Sequence, residues 1–322
     1  MMKIIEIPTR KLNAQEFIRR QVQEIAAAVG GSSAITALSG GVDSSTVTVL
    51  GHRALGDKLK AYFIENGLMR EGEPQAVAQV FRKLGIHVEI LDARDAFFGA
   101  LKGLRDPEQK REAITQTFYK KVFGDLVRSS GARYLLQGTI LTDVEETVAG
   151  VKRQHNVLEQ LGIDPQAAFG YGVVEPLLQI RKDGVRKVAK ALGLPESVYQ
   201  RMPFPGPALA ARVVGEASRE RIELVRKATA IVERELKNVQ AFQYMAILHE
   251  DRFPGMRDGK RDFGMQIEVR CWKSVDARTA KPVWLPPRLQ ERLARKITQG
   301  IPGVVSVTYN ITPKPPSTME AV

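Results

Sequence analysis

Hydrophobic positions recur along the first two-thirds of the chain in two alternating rhythms. At 14–29, Ile18, Val22, Ile25 and Val29 fall on one face at helical spacing. Short apolar runs at 34–38, 59–64, 87–91, 134–137 and 173–175 read as strands, interleaved with helical periodicity at 43–55, 73–84, 107–127 and 182–192. Strands alternating with helices predict an α/β fold, a parallel sheet covered on both faces. Residues 141–171 carry no clean period and have the length of a lid.

The rhythm then changes. The stretch MPFPGPALAAR at 202–212 holds three prolines and a glycine, the composition of a rigid connector. Beyond it, 218–236 is an amphipathic helix with Ile222, Val225, Ile231 and Val232 inward. Strands at 242–248 and 263–272, a helix at 286–299 and a strand at 304–309 complete a smaller α+β unit. The expected domains are therefore 1–201 and 202–322.

Composition changes this picture little. With 43% hydrophobic and 26% charged residues among 322, the chain is globular, and no apolar run approaches a bilayer span. The first residues hold too short an apolar stretch for a signal peptide. One cysteine, Cys271 in an apolar strand, excludes an internal disulfide and suits a reducing cytoplasm. A net charge of +12 favours polyanions such as nucleotides, or is simply a solvated basic surface. The basic residues are scattered without interleaved aromatics, so nucleic acid is not expected as a partner.

The candidate chemistry lies at Ser39, Gly40, Gly41, Val42, Asp43, Ser44 and Ser45, between the first predicted strand and its helix. Glycines let successive N–H groups converge on one anion, and the helix adds its unpaired N–H groups. The serine hydroxyls are further donors. Asp43 is out of place beside phosphate unless a divalent cation joins it. The turn has no lysine, so it is not the nucleotide loop whose lysine serves the β and γ phosphates. An ordinary helix cap is the plain alternative.

SGGVDSS after a strand resembles the PP-loop of the N-type ATP pyrophosphatases. That resemblance implies a doubly wound parallel sheet of the adenine nucleotide alpha hydrolase type, and cleavage of ATP between its α and β phosphates. ENGLMR, LKGLRDPEQKR, LLQGTILTDVEET, VEPLLQIRKDGVRKVAKALGLP, PFPGPALAAR and KPPSTME, in this order, are similar to the synthetase part of GMP synthase. The family's reaction is adenylation of XMP with release of pyrophosphate, then amination by ammonia to GMP. The resemblance implies ATP and Mg²⁺ held by Ser39, Gly40, Gly41, Val42, Asp43, Ser44 and Ser45, Gly138 and Thr139 near the adenosine, and Lys182 reaching the pyrophosphate. Asp43 and Lys182 are then the catalytic residues. Phe204, Gly206, Pro207, Lys314, Thr318 and Glu320 match positions near the second nucleotide, and the second domain is implied to form a homodimer. The segment around Lys102, Arg105, Lys110 and Arg111 reads as a helix start with exposed charges, which the family places over the ATP site.

The chain departs from that family in places. Gln154, before His155, stands where the family's lid has histidine, Ala208 where it has glycine, and the ending Met319-Glu320-Ala321-Val322 lacks a terminal acid. These changes imply poorer use of XMP. No glutamine amidotransferase domain is present, so nitrogen is expected from a separate subunit or from free ammonia. A relative that adenylates another nucleotide or base, and a non-catalytic ATP-binding homologue, are the alternatives.

Overall fold

The structure is a computed structural model and describes residues 4–148, 170–257, 259–275 and 277–321. Strand β1 (Ala34–Leu38), buried at four of its five positions, is the middle of a five-stranded sheet. Strands β2 (Leu59–Glu65), β3 (Val88–Asp92), β4 (Tyr134–Leu136) and β5 (Gly172–Val174) complete it in the order β3-β2-β1-β4-β5, every pair parallel. The winding reverses between β1 and β4, and in sheets of this kind ligands bind beyond the carboxyl ends of the strands at such a switch point.

Helix α2 (Val42–Leu55) packs on the sheet and α1 (Ala14–Val29) packs on α2, with Ile18, Ile25 and Val29 of α1 buried as its spacing predicts. Asn13 caps α1 by accepting from the Glu16 N–H. The interior of α2 tolerates Thr46 and Thr48 because each hydroxyl bonds a backbone carbonyl four residues back, of Val42 and Ser44.

Two spans differ from the sequence expectation. The single helix expected at 107–127 is α5 (Pro107–Gln116), a wide π turn (Thr117–Phe123) and α6 (Gly124–Ser130). The wider turn lets Phe118 stack on Phe123, which meets Tyr171 edge-on. A helix, α4 (Arg94–Leu101), burying Phe97 and Leu101, lies where no element was expected. Of the expected lid, 141–148 is helix (Leu141–Val148), and 149–169 lie outside the described residues.

Contacts divide the chain into two units. One takes its described residues from Met1–Glu65, Glu73–Ala93 and Phe118–Arg201, and the other from Asn66–Gly72, Arg94–Thr117 and Met202–Val322. The second unit centres on a long hairpin, β6 (Gln243–Arg257) with β7 (Lys260–Lys273), far longer than the strands expected from alternation. Strands β8 (Lys281–Pro282) and β9 (Val304–Tyr309) pair with β7 on its other side. Helix Arg219–Leu236, capped by Ser218, buries Ile222, Val225, Ile231 and Val232. Met245, Ile247, Trp272 and Met319 form one core cluster, and Cys271 is buried, its thiol pushed up to about 11 by burial.

Candidate active site

In the first unit, the turn from β1 into α2 is built around backbone donors. The N-cap of α2 is Gly41, and no side chain caps it. The plain helix-cap reading therefore fails, because the first N–H groups of α2 are left for another acceptor. The serines bond within the turn instead. Ser44 Oγ accepts from the Ser39 N–H (3.2 Å), lies 3.1 Å from Ser39 Oγ and donates to the Gly41 carbonyl (3.2 Å). The Gly41 N–H reaches Ser39 Oγ at 3.4 Å. Gly40 has φ 72°, in the region that glycine adopts without steric cost. Ser45 and Val42 are buried, so Val42 offers only backbone.

Asp43 and Lys182, separated by 139 positions, meet at 2.5 Å between Oδ2 and Nζ. Lys182 opens the helix Lys182–Ala191 and is 46% exposed, which leaves it free to turn toward an anion. Asp43 Oδ1 is buried without a hydrogen-bond partner. A carboxylate with one oxygen on an ammonium and the other unpaired fits a hard cation. No group of three or more His, Cys, Asp or Glu among the described residues suits a metal, so such a cation would complete its shell with water and phosphate oxygens.

Gly138 stands beside this turn. A Cβ there would lie 3.1 Å from the Ser44 nitrogen, so glycine permits close approach of the segment after β4 to the start of α2. Thr139 is fully buried, its hydroxyl bonded to Glu175.

In the second unit, two guanidinium groups lie over the Phe204 ring. The Arg70 guanidinium carbon lies 3.9 Å from the ring centroid and that of Arg212 lies 4.8 Å away. Arg212 is fully buried; burial pulls it below its ordinary value while Glu320 opposes. Its Nε donates to Glu320 at 3.3 Å, and its Nη1 and Nη2 have no hydrogen-bond partner. Glu320 also accepts from Gln243 Nε2 at 2.9 Å.

The last residues are held by their backbone. Arg270 Nη1 donates to the carbonyls of Thr318 (2.9 Å), Met319 (3.3 Å) and Glu320 (3.4 Å). Arg270 is fixed by Glu268, which also contacts His249 and Asn310. Burial alone would raise the Glu268 carboxyl, but hydrogen bonds from His249, Arg270 and Asn310 outweigh it and hold the group down at about 2. Lys314 donates to the Ala277 carbonyl (2.8 Å), and the Thr318 hydroxyl to the Glu320 carbonyl (2.6 Å). Gly206 is exposed and Pro207 half-buried.

Lys110 corrects an expectation. Its helix does start at a capping Asp106 with Pro107 following, but Lys110 is 1% exposed rather than a surface charge. Its ammonium donates to the carbonyls of Val213 (2.7 Å), Gly215 (3.1 Å) and Ala210 (3.4 Å). Sequence reasoning also passed over Arg70, Arg212, Gln243 and Arg270. Arg70 and Arg212 lie inside ENGLMR and PFPGPALAAR, whereas Gln243 and Arg270 sit in strands read only for apolar alternation. Of the family departures, Gln154 and His155 lie outside the described residues. Ala208 is buried with φ 53°, a backbone state that glycine adopts freely.

Comparison with known proteins finds likeness along nearly the whole chain. Residues 12–210 match the NAD synthase family and residues 230–321 the GMP synthase C terminal domain. A subunit of the glutamine-hydrolyzing GMP synthase of Pyrococcus furiosus is 45% identical over 309 residues, covering 95% of this chain and 97% of that protein. The corresponding subunit of Archaeoglobus fulgidus is 44% identical, covering 96% and 99%, and that of Methanocaldococcus jannaschii 43%, covering 95% and 98%.

Proposed function

The chain belongs to the GMP synthase family, and from that premise we propose that it uses ATP to aminate XMP to GMP, as the carbon–nitrogen ligase part of a two-subunit enzyme. The observation that carries this reading is the uncapped start of α2 behind SGGVDSS, with Lys182 and Asp43 paired beside it.

In the proposed reaction the 2-oxygen of XMP attacks the α-phosphorus of ATP and the bond to the β-phosphate breaks. The departing pyrophosphate carries growing negative charge. The uncapped N–H groups of Val42 and Asp43 at the start of α2 are fixed donors for it, in place before the charge develops, and the hydroxyls of Ser39 and Ser44 brace the turn that presents them. Lys182 turns from Asp43 toward the leaving group. Asp43 would hold Mg²⁺ through Oδ1; the ion, when bound, neutralises phosphate charge. Gly138 lets the segment after β4 close against this cradle, where the adenosine is proposed to lie. Ammonia then attacks C2 of the adenylated intermediate, AMP leaves, and GMP results. Since the relatives of matching length are each one subunit of a glutamine-hydrolyzing enzyme, a separate glutamine amidotransferase is the proposed ammonia donor.

For the acceptor, Phe204, Gly206, Pro207, Lys314, Thr318 and Glu320 are the proposed contacts. Arg70 and Arg212 over the Phe204 ring, with Gln243 on Glu320, support this set, because the buried Nη1 and Nη2 of Arg212, which have no hydrogen-bond partner, suit an anionic nucleotide. A homodimer through the second unit is also proposed, supported by Met256 (72% exposed) and Phe263 (55% exposed) on the β6–β7 hairpin. Among the described residues no helix is long and apolar enough to cross a membrane.

The test is ammonia-dependent GMP formation with saturating ATP, Mg²⁺ and XMP, beside ATP–pyrophosphate exchange with a panel of acceptors. Exchange that requires XMP is expected. Exchange with another acceptor in preference, or none with any, overturns the reading. Light scattering that finds a monomer at micromolar concentration overturns the dimer.

A further inference from the structure

We infer that Arg201, braced by Glu73, is a positioning residue for the pyrophosphate-binding turn, acting through the carbonyl of Gly40; this rests on the reading that the turn holds the pyrophosphate of ATP. Arg201 lies 161 positions from Gly40, and its Nη1 donates to the Gly40 carbonyl at 2.7 Å. Its Nη2 pairs with Glu73, the first residue of α3 (Glu73–Lys83). The pair is secluded: Glu73 is 6% exposed and the Arg201 side chain 21%.

The geometry explains what the clamp does. The Gly40–Gly41 peptide is planar and trans, so its C=O and N–H point in opposite directions. Drawing the Gly40 oxygen toward Arg201 turns the Gly41 N–H the other way, toward Ser39 Oγ and the start of α2. One hydrogen bond on the far side thus fixes the Gly41 N–H on Ser39 Oγ, and with it the shape of the turn that presents the uncapped N–H groups of α2 to the anion. Without it, a glycine pair rotates freely and the donor direction is lost. The fit also dictates the residue at position 40. A Cβ there would stand 2.6 Å from Arg201 Nη1, 2.7 Å from Glu73 Oε1 and 3.2 Å from Val77 Cγ2. The clamp therefore needs glycine for space as well as for its φ of 72°.

The ion pair itself adds no net charge, so Arg201 does not act as a phosphate counter-ion. Glu73 takes Nη2 of the guanidinium, and the Gly40 carbonyl takes Nη1. Its effect is on donor direction, which predicts a loss in pyrophosphate and ATP affinity rather than a general loss of stability.

The experiment measures binding of MgATP and of magnesium pyrophosphate by calorimetry on the full chain, with thermal unfolding in parallel. Arg201→Met is expected to weaken both ligands by about 10- to 100-fold, the worth of one charge-assisted hydrogen bond. It should also lower the melting temperature, because Glu73 is left buried without Arg201. The double variant Arg201→Met with Glu73→Gln removes the buried acidic charge together with its basic partner. Most of the thermal stability should return while the weakened binding stays. Binding that recovers together with stability overturns the inference, since the pair is then structural only. Wild-type affinity in Arg201→Met overturns it as well. A wild-type chain that binds MgATP yet makes no GMP from XMP counts against the proposed reaction and leaves the clamp standing.

Discussion

Replacing Ala208 by glycine tests backbone strain at the start of the second unit. Ala208 has φ 53° and is 1% exposed, with its N–H bonded to the Pro205 carbonyl at 2.9 Å. Holding an L-residue in the left-handed region costs about 1–2 kcal/mol, which glycine relieves. Against that, losing a buried methyl forfeits about 0.8 kcal/mol and the freer unfolded chain about 0.4–1 kcal/mol. These terms nearly cancel, so Ala208→Gly should unfold within about 1 kcal/mol of the parent. Ala210 is the control. It is also 1% exposed, belongs to the same short helix (Ala208–Arg212) and does not have positive φ. Ala210→Gly suffers both losses without relief and should cost about 1–2 kcal/mol. The assay is denaturant unfolding with the two midpoints compared at equal slope. Equal losses in both variants would show that position 208 carries no strain. The same Ala208→Gly chain, alone and with Gln154→His, then enters the GMP assay. Faster turnover with XMP is expected, and unchanged turnover in both refutes the idea that these departures reshape acceptor use.

Three further outcomes follow from the geometry. Asp43→Ala should lower the rate of ATP–pyrophosphate exchange by about 10²–10³ with little change in melting temperature, as for loss of one preorganised electrostatic element; near-normal exchange refutes the role. Burial pushes Lys110 down to about 8 from 10.5, so the unfolded chain binds more protons between those values and stability rises with pH there. Lys110→Met should flatten that rise and cost about 2–4 kcal/mol, because three carbonyls lose their donor; denaturant unfolding across pH 8 to 10.5 reads both. Glu268 is held at about 2 against an ordinary 4.5, so its stabilisation is present above 4.5 and drains as pH falls toward 2. Glu268→Gln should remove an acid-side loss on the order of 3 kcal/mol, and an unchanged acid titration of stability would count against the His249–Glu268–Arg270 arrangement.

The parallel sheet, its covering helices and the glycine–serine turn that opens α2 are legible in the sequence by itself. Their causes are local: apolar spacing at two or three and a half residues sets each element, and SGGVDSS places glycines, hydroxyls and a helix start within seven positions. Likewise the change of rhythm after MPFPGPALAAR marks a second kind of architecture. What each charge does was decided by tertiary structure. Lys110 reads as a surface residue until it meets three carbonyls 100 or more positions away, and Arg201 reads as nothing until it reaches Gly40 and Glu73. The length of the β6–β7 hairpin was hidden too, because half-exposed polar positions near its tip break the alternation that marks a strand. A buried charge is tolerated only where a partner is brought to it, and that partner is chosen by the packing of distant segments, which no local pattern records.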